Sequence, residues 1–160
     1  MEDLFIKYYK EYYNDVFRLS YSYTLSTPDS EDICQRTFTK FYNYLVNNKV
    51  EENKVKALLF KIAINDSKNI LTSSWRRLSA SLDKTSYKLE AKTEFTSDLL
   101  DSLKELNHKY RIPLYLYYYE GYSIKDISTI LKTNESTIKT RIKRGKEKLK
   151  ELMEGDLWKV

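Results

Sequence analysis

TNESTIKTRIKRGKEKLKEL, Thr133 to Leu152, carries seven lysines and arginines between Ile138 and Lys150, with one acid, Glu147, among them. Apolar residues interrupt this charge every three or four positions. At 100° per residue, with Ile138 placed at zero, Ile142 falls near 40°, Gly145 near 340° and Leu149 near 20°. These four make a narrow apolar seam, and Ser136, Thr140, Lys143, Arg144 and Glu147 lie opposite, flanked by Lys139 and Arg141. The preceding segment SIKDISTIL, residues 123–131, places Ile124, Ile127 and Leu131 on one face, so the seam has a surface to dock on. Ser123 followed by Asp126 is close to a capping box. Lys132 to Asn134 is a short turn, and Asn134 can cap a final helix running from about Glu135 to Met153. Two helices joined by a three-residue turn, the second exposing small polar groups and then cations, form a helix-turn-helix. A solvated basic surface with some helix-dipole benefit is the alternative. So many like charges on one helix repel, however, and duplex phosphate compensates them with release of counterions.

Working outward, the chain has 160 residues with 41% hydrophobic and 32% charged, the balance of a globular protein. The net charge is +5, but 15 basic and 13 acidic groups precede residue 96 and 13 and 10 follow it, so the positive charge is local. No run of about eighteen apolar residues predicts a membrane span, and the N-terminus lacks the pattern of a signal peptide, so no direct membrane insertion and a cytoplasmic location are expected. The single cysteine, Cys34, excludes an internal disulfide and a cysteine zinc cluster and reads as a small buried apolar side chain. Neither a glycine-rich phosphate loop, nor paired histidines, nor a nucleophile motif is present, so neither an enzyme nor a bound cofactor or metal is expected.

The remaining periodicity is helical throughout. Phe5, Tyr9, Tyr12, Val16, Leu19 and Tyr23 predict a helix over about 2–24. Thr27 is the expected cap of a second helix, with Pro28 and three acids in its first turns and Cys34, Phe38, Phe41 and Leu45 as its buried stripe. The polar residues 46–54 break the pattern. A third helix is expected at roughly 55–72, burying Val55, Leu59, Ile62, Ala63 and Ile70. Residues 73–95 read as a linker, partly ordered at most. A helix over 97–107 uses Leu99, Leu100, Leu103 and Leu106, and the next holds Pro113 near its first turn and ends at Gly121. Tyr115, Tyr117, Tyr118 and Tyr119 are expected to serve as core or rim. The fold class is thus all-α: two small helical bundles, 1–72 and 96–160, joined by a flexible linker at 73–95, the C-terminal one a helix-turn-helix.

The stretch from Leu103 to Leu152, above all EGYSIKDISTIL and STIKTRIKRGKEKL, resembles the promoter-binding C-terminal domain of bacterial extracytoplasmic-function (ECF) sigma factors. DVFRLSYSYTLSTPDSEDICQRTFTKFYNYL resembles the sigma helix that grips RNA polymerase, and VKALLFKIAINDSKNIL the segment that reads and opens the minus-10 element. The resemblance implies an alternative sigma factor that binds core RNA polymerase, directs it to particular promoter DNA and helps melt it. An anti-sigma factor is a further implied partner. Asp32, Gln35 and Arg36 then face the polymerase. Asn65 and Asn69, four apart with Lys68 adjacent, face the minus-10 element; as residues alone they also read as ordinary exposed polar groups. Lys139, Thr140, Lys143 and Arg144 match positions facing the minus-35 element, while Arg141, Lys146 and Lys148 meet phosphates. A helix-turn-helix regulator that works without polymerase is the other reading, and an adaptor for acidic proteins a third.

Overall fold

The computed structural model describes residues 1–72 and 97–157, with side chains over 1–71 and 101–154. Among the described residues all regular structure is helical. Backbone contacts divide the chain into two compact units, Met1–Tyr87 and Lys88–Val160. The expected linker, 73–95, lies outside the described residues, as do the side chains of Leu99 and Leu100.

The first unit packs three helices against one another: α1 (Glu2–Thr24), α2 (Thr27–Asn47) and α3 (Glu52–Thr72). Val16 and Leu19 of α1, Ile33, Cys34 and Phe41 of α2, and Val55, Leu59, Phe60 and Ala63 of α3 are fully buried. Their three-and-four spacing turns one apolar stripe of each helix to a common axis. The N-terminal half of α1 departs from its expected stripe. Tyr8 is buried, while Tyr9 is 41% exposed at the edge and meets Phe38 at 4.8 Å between ring centroids. The C-terminal half of α1 is buried from Val16 to Thr24, and the hydroxyls of Ser20, Ser22 and Thr24 donate to nearby main-chain oxygens. Ser20 donates to the Val16 carbonyl at 2.7 Å, and Ser22 to that of Leu19 at 2.6 Å. Leu25 ends the helix in the left-handed region, φ 53°, with its N–H on the Tyr21 carbonyl.

Two boundaries differ from the sequence expectation. Ser26, not Thr27, caps α2: its backbone is extended and its hydroxyl accepts from the Asp29 N–H at 3.3 Å. Thr27 is already the first helical residue, with Pro28 at the second, where a missing N–H costs nothing. The third helix begins at Glu52, three residues before the expected start, because its first turn is polar and carries no apolar signal.

The second unit holds α4 (Ser97–Glu105), α5 (His108–Leu114), a π-helical turn (Tyr115–Tyr119), α6 (Ile124–Leu131) and α7 (Glu135–Leu157). Arg111, buried on α5, donates to the carbonyl of Leu106 at 2.6 Å and of Lys104 at 3.4 Å. It thereby satisfies the carbonyl end of α4. Pro113 sits deep in α5, not in its first turn. The π turn follows at once, closed by the Glu120 N–H on the Tyr115 carbonyl at 3.1 Å. Tyr115 and Tyr119 are buried and stacked at 4.7 Å, whereas Tyr117 and Tyr118 are 37% and 39% exposed. The tyrosine cluster is therefore split between core and rim. Gly121, at φ +76°, takes the left-handed conformation expected of it.

Candidate nucleic-acid interface

The helix-turn-helix is built by local chemistry. Ser123 accepts from the Asp126 N–H at 3.1 Å and starts α6. Lys132 stops it in the left-handed region, φ 53°, with its N–H on the Ser128 carbonyl. Asn134 then starts α7, accepting from the Thr137 N–H at 3.0 Å and the Ser136 hydroxyl at 3.1 Å. Ile127 and Leu131 of α6 are buried, as are Ile138, Ile142 and Gly145 of α7; Ile124 and Leu149 are half-buried. The seam drawn from periodicity is thus the docked side. Gly145 marks the closest approach. A Cβ there would stand 2.9 Å from Leu114 Cδ1 and 3.2 Å from Tyr110 Cβ.

The opposite side faces out. Ser136, Lys139, Thr140, Lys143, Arg144, Lys146, Glu147 and Lys148 are exposed, and Arg141 is half-buried. The Thr140 hydroxyl donates back to the Ser136 carbonyl at 3.0 Å, which leaves its oxygen as an acceptor. Two of the lysines are not simply solvated. The Lys146 ammonium lies 4.9 Å from the centroid of Tyr118, and that of Lys148 lies 5.5 Å from Tyr110. Thr140, Arg141 and Arg144 also share a shallow concavity of about 260 Å³ with Ser136, Thr137 and Lys109 of α5. Lys109 was invisible to helix periodicity, because only the packing of α5 on α7 brings it to this side.

In the first unit Asn65, Lys68 and Asn69 are exposed together on α3. Asp66 lies between them in sequence but is buried, with Oδ1 2.6 Å from the Lys40 ammonium of α2. That ion pair links α3 to α2, while the buried stripes of the two helices leave the asparagines on the exposed side. Glu52, the first residue of α3, pairs with Lys7 of α1 at 2.7 Å on the exposed surface. Their hydrogen bond holds Lys7 above and Glu52 below the ordinary value of each. On α2, Arg36 and Asp32 pair at 3.1 Å, one helical turn apart. Gln35 is exposed and borders a concavity of about 450 Å³ lined by Phe5, Tyr9, Phe38, Thr39 and Tyr42. Asp32, Gln35 and Arg36 therefore form one patch beside an aromatic groove.

Family comparisons match both units. The family described as "Sigma-70 region 2" matches residues 8–77, and "Sigma-70, region 4" matches 96–149. The chain is 28% identical to the ECF RNA polymerase sigma factor SigM of Bacillus subtilis (strain 168) over 90% of this chain and 91% of that one. It is 30% identical to RNA polymerase sigma factor SigZ of the same organism over 78% and 73%. Among solved structures, the sigma factor RpoE in complex with the anti-sigma factor NepR, from Bartonella quintana, superposes with a TM-score of 0.73 at 21% identity, covering 96% of this chain and 98% of that one. CnrH in complex with the cytosolic domain of CnrY gives 0.70 at 18%, over 98% and 91%. Both share the fold. With both regions matched in order along the chain, this protein belongs to the extracytoplasmic-function family of RNA polymerase sigma factors.

Proposed function

We propose a division of labour between the units: residues 1–72 bind core RNA polymerase and read and open the minus-10 element, 73–95 connect, and 96–160 read the minus-35 duplex. Family membership itself makes the chain an alternative sigma factor that directs transcription initiation, a regulatory role. The observation that carries the residue assignment is the outer side of α7. There Lys139, Thr140, Lys143 and Arg144 project from a helix whose other side is docked on α5 and α6. A helix so presented fits the major groove, with Thr and Arg set for base edges and Arg141, Lys146 and Lys148 for phosphates. Asp32, Gln35 and Arg36 beside the aromatic groove offer a mixed apolar and charged surface suited to a helical partner. Asn65 and Asn69 offer hydrogen bonds to bases, with Lys68 for phosphate.

Both solved relatives named above are complexes, one of them with a protein called an anti-sigma factor. On that footing we propose an anti-sigma partner for this chain, and the family resemblance adds a cytoplasmic site of action. Among the described residues no helix is long and apolar enough to cross a membrane.

The test is transcription with purified core polymerase, reading start-site choice and promoter melting. Arg144→Ala is expected to relax minus-35 sequence preference by about 1–3 kcal/mol. Lys148→Ala is expected to weaken matched and scrambled promoters alike and to flatten the salt dependence. Equal losses for both variants on both promoters would refute the division between base and phosphate contacts.

A further inference from the structure

The concavity beside α7 has an unusual lining: Lys109, Arg141 and Arg144 with Ser136, Thr137 and Thr140, three cations and three hydroxyls with no carboxylate. Lys109 belongs to α5, outside the helix-turn-helix. Its ammonium lies 5.4 Å from the centroid of Tyr110, the same ring that Lys148 of α7 approaches at 5.5 Å. Tyr110 is itself pressed onto α7, its Cβ at the spot that a side chain on Gly145 would crowd. One half-buried ring thus gathers lysines from two helices. The neighbouring hollow takes Tyr110 and Lys148 in its wall, and its acids, Glu105 and Glu151, line that hollow and not the one that Lys109 enters. Lys109 is exposed and makes no ion pair among the described residues.

Like charges so gathered repel, and an anion with several oxygens relieves the repulsion. Hydroxyls and cations together are the groups that hold a phosphate by charge-assisted hydrogen bonds. We propose that this hollow seats one phosphodiester of the promoter duplex, with Lys109 as a DNA ligand supplied from outside the helix-turn-helix. The seat lies on the edge of α7 that carries Arg141 and Lys148, and Thr140 and Arg144 stand where its rim meets the base-reading middle of the helix. The proposal rests on α7 being the duplex-reading helix.

The test uses the full chain assembled with core polymerase, on promoter fragments with matched or scrambled minus-35 sequence, over a series of salt concentrations. One lost phosphate contact makes the log–log salt slope shallower by about 0.9, which is about an eightfold loss at 0.1 M salt. Lys109→Ala is expected to show that change equally on both fragments, with thermal unfolding unaltered, and Lys109→Arg is expected to restore the slope. An unchanged slope in Lys109→Ala, or a loss confined to the matched fragment, overturns the seat. If Arg144→Ala loses sequence preference while Lys109→Ala is silent, the seat alone falls. If the wild-type complex is indifferent to the upstream duplex, the reading of α7 falls and takes the seat with it.

Discussion

Replacing Gly145 by alanine sets two effects of opposite sign against each other. In a helix interior the substitution is ordinarily stabilising by about 0.8–1 kcal/mol, because glycine gives up more backbone freedom on folding. Here the added methyl would stand 2.9 Å from Leu114 Cδ1, 3.3 Å from Leu114 Cγ and 3.2 Å from Tyr110 Cβ. The Leu114 methyl can swing away. The Tyr110 Cβ is fixed to its backbone and cannot, so α7 must shift from α5 by a few tenths of an ångström. Overpacking of this kind costs typically about 1–3 kcal/mol. The net expectation is a destabilisation of roughly 0–2 kcal/mol, confined to the second unit. Urea or thermal unfolding of the full chain measures it, and a double-mutant cycle supplies the sign. In a Leu114→Ala background two of the three contacts vanish, and Gly145→Ala should turn less costly or become stabilising. A full stabilisation of about 1 kcal/mol in the wild-type background would refute the argument, since it would mean that α7 does not approach α5 this closely. Any shift of α7 also moves Lys148 and Arg144, so promoter affinity should fall further than stability alone explains.

Cys34 offers a check on the first unit. Burial, with a smaller effect from Glu31, pushes its thiol up to about 12 from the ordinary 9.0. The folded state therefore keeps the proton that the unfolded state sheds above pH 9. Stability is unaffected below pH 9 and is expected to fall above it by about 1.4 kcal/mol per pH unit until pH 12. A Cys34→Ala variant lacking that slope identifies the source, and at neutral pH the thiol should react with alkylating reagents only on unfolding. Asn134→Ala should remove the cap of α7 and cost about 1 kcal/mol, read by unfolding of the second unit; Asn134→Ser should retain most of it.

The seam of α7 was legible because Ile138, Ile142, Gly145 and Leu149 repeat at helical spacing, and burial follows that repeat. The stripe of α2 was legible for the same reason. Ser26 and Thr27 are adjacent hydroxyls, and either can cap; only the extended backbone at Ser26 separates them. The first turn of α3 was hidden because Glu52, Asn53 and Lys54 are polar on every side. The π turn had no signature, since Tyr115–Tyr119 reads as unbroken helix from its spacing. In the site, the residues of α7 could be placed from the sequence, but Lys109 could not. Its place beside Arg144 is a product of two helices meeting, and no local spacing encodes that.

The π turn at Tyr115–Tyr119 also bears on how the segment tolerates change in length. Such a turn takes up one surplus residue as a local bulge without twisting the flanking coil out of phase. A chain one tyrosine shorter here could thread the same path as an unbroken α-helix, with Gly121 still delivering the strand of backbone to Ser123. What would vanish is one of the two outward rings, Tyr117 or Tyr118, and in the second case the shelf on which Lys146 rests goes with it. The slack held in that bulge is thus spent on the surface and not on the scaffold.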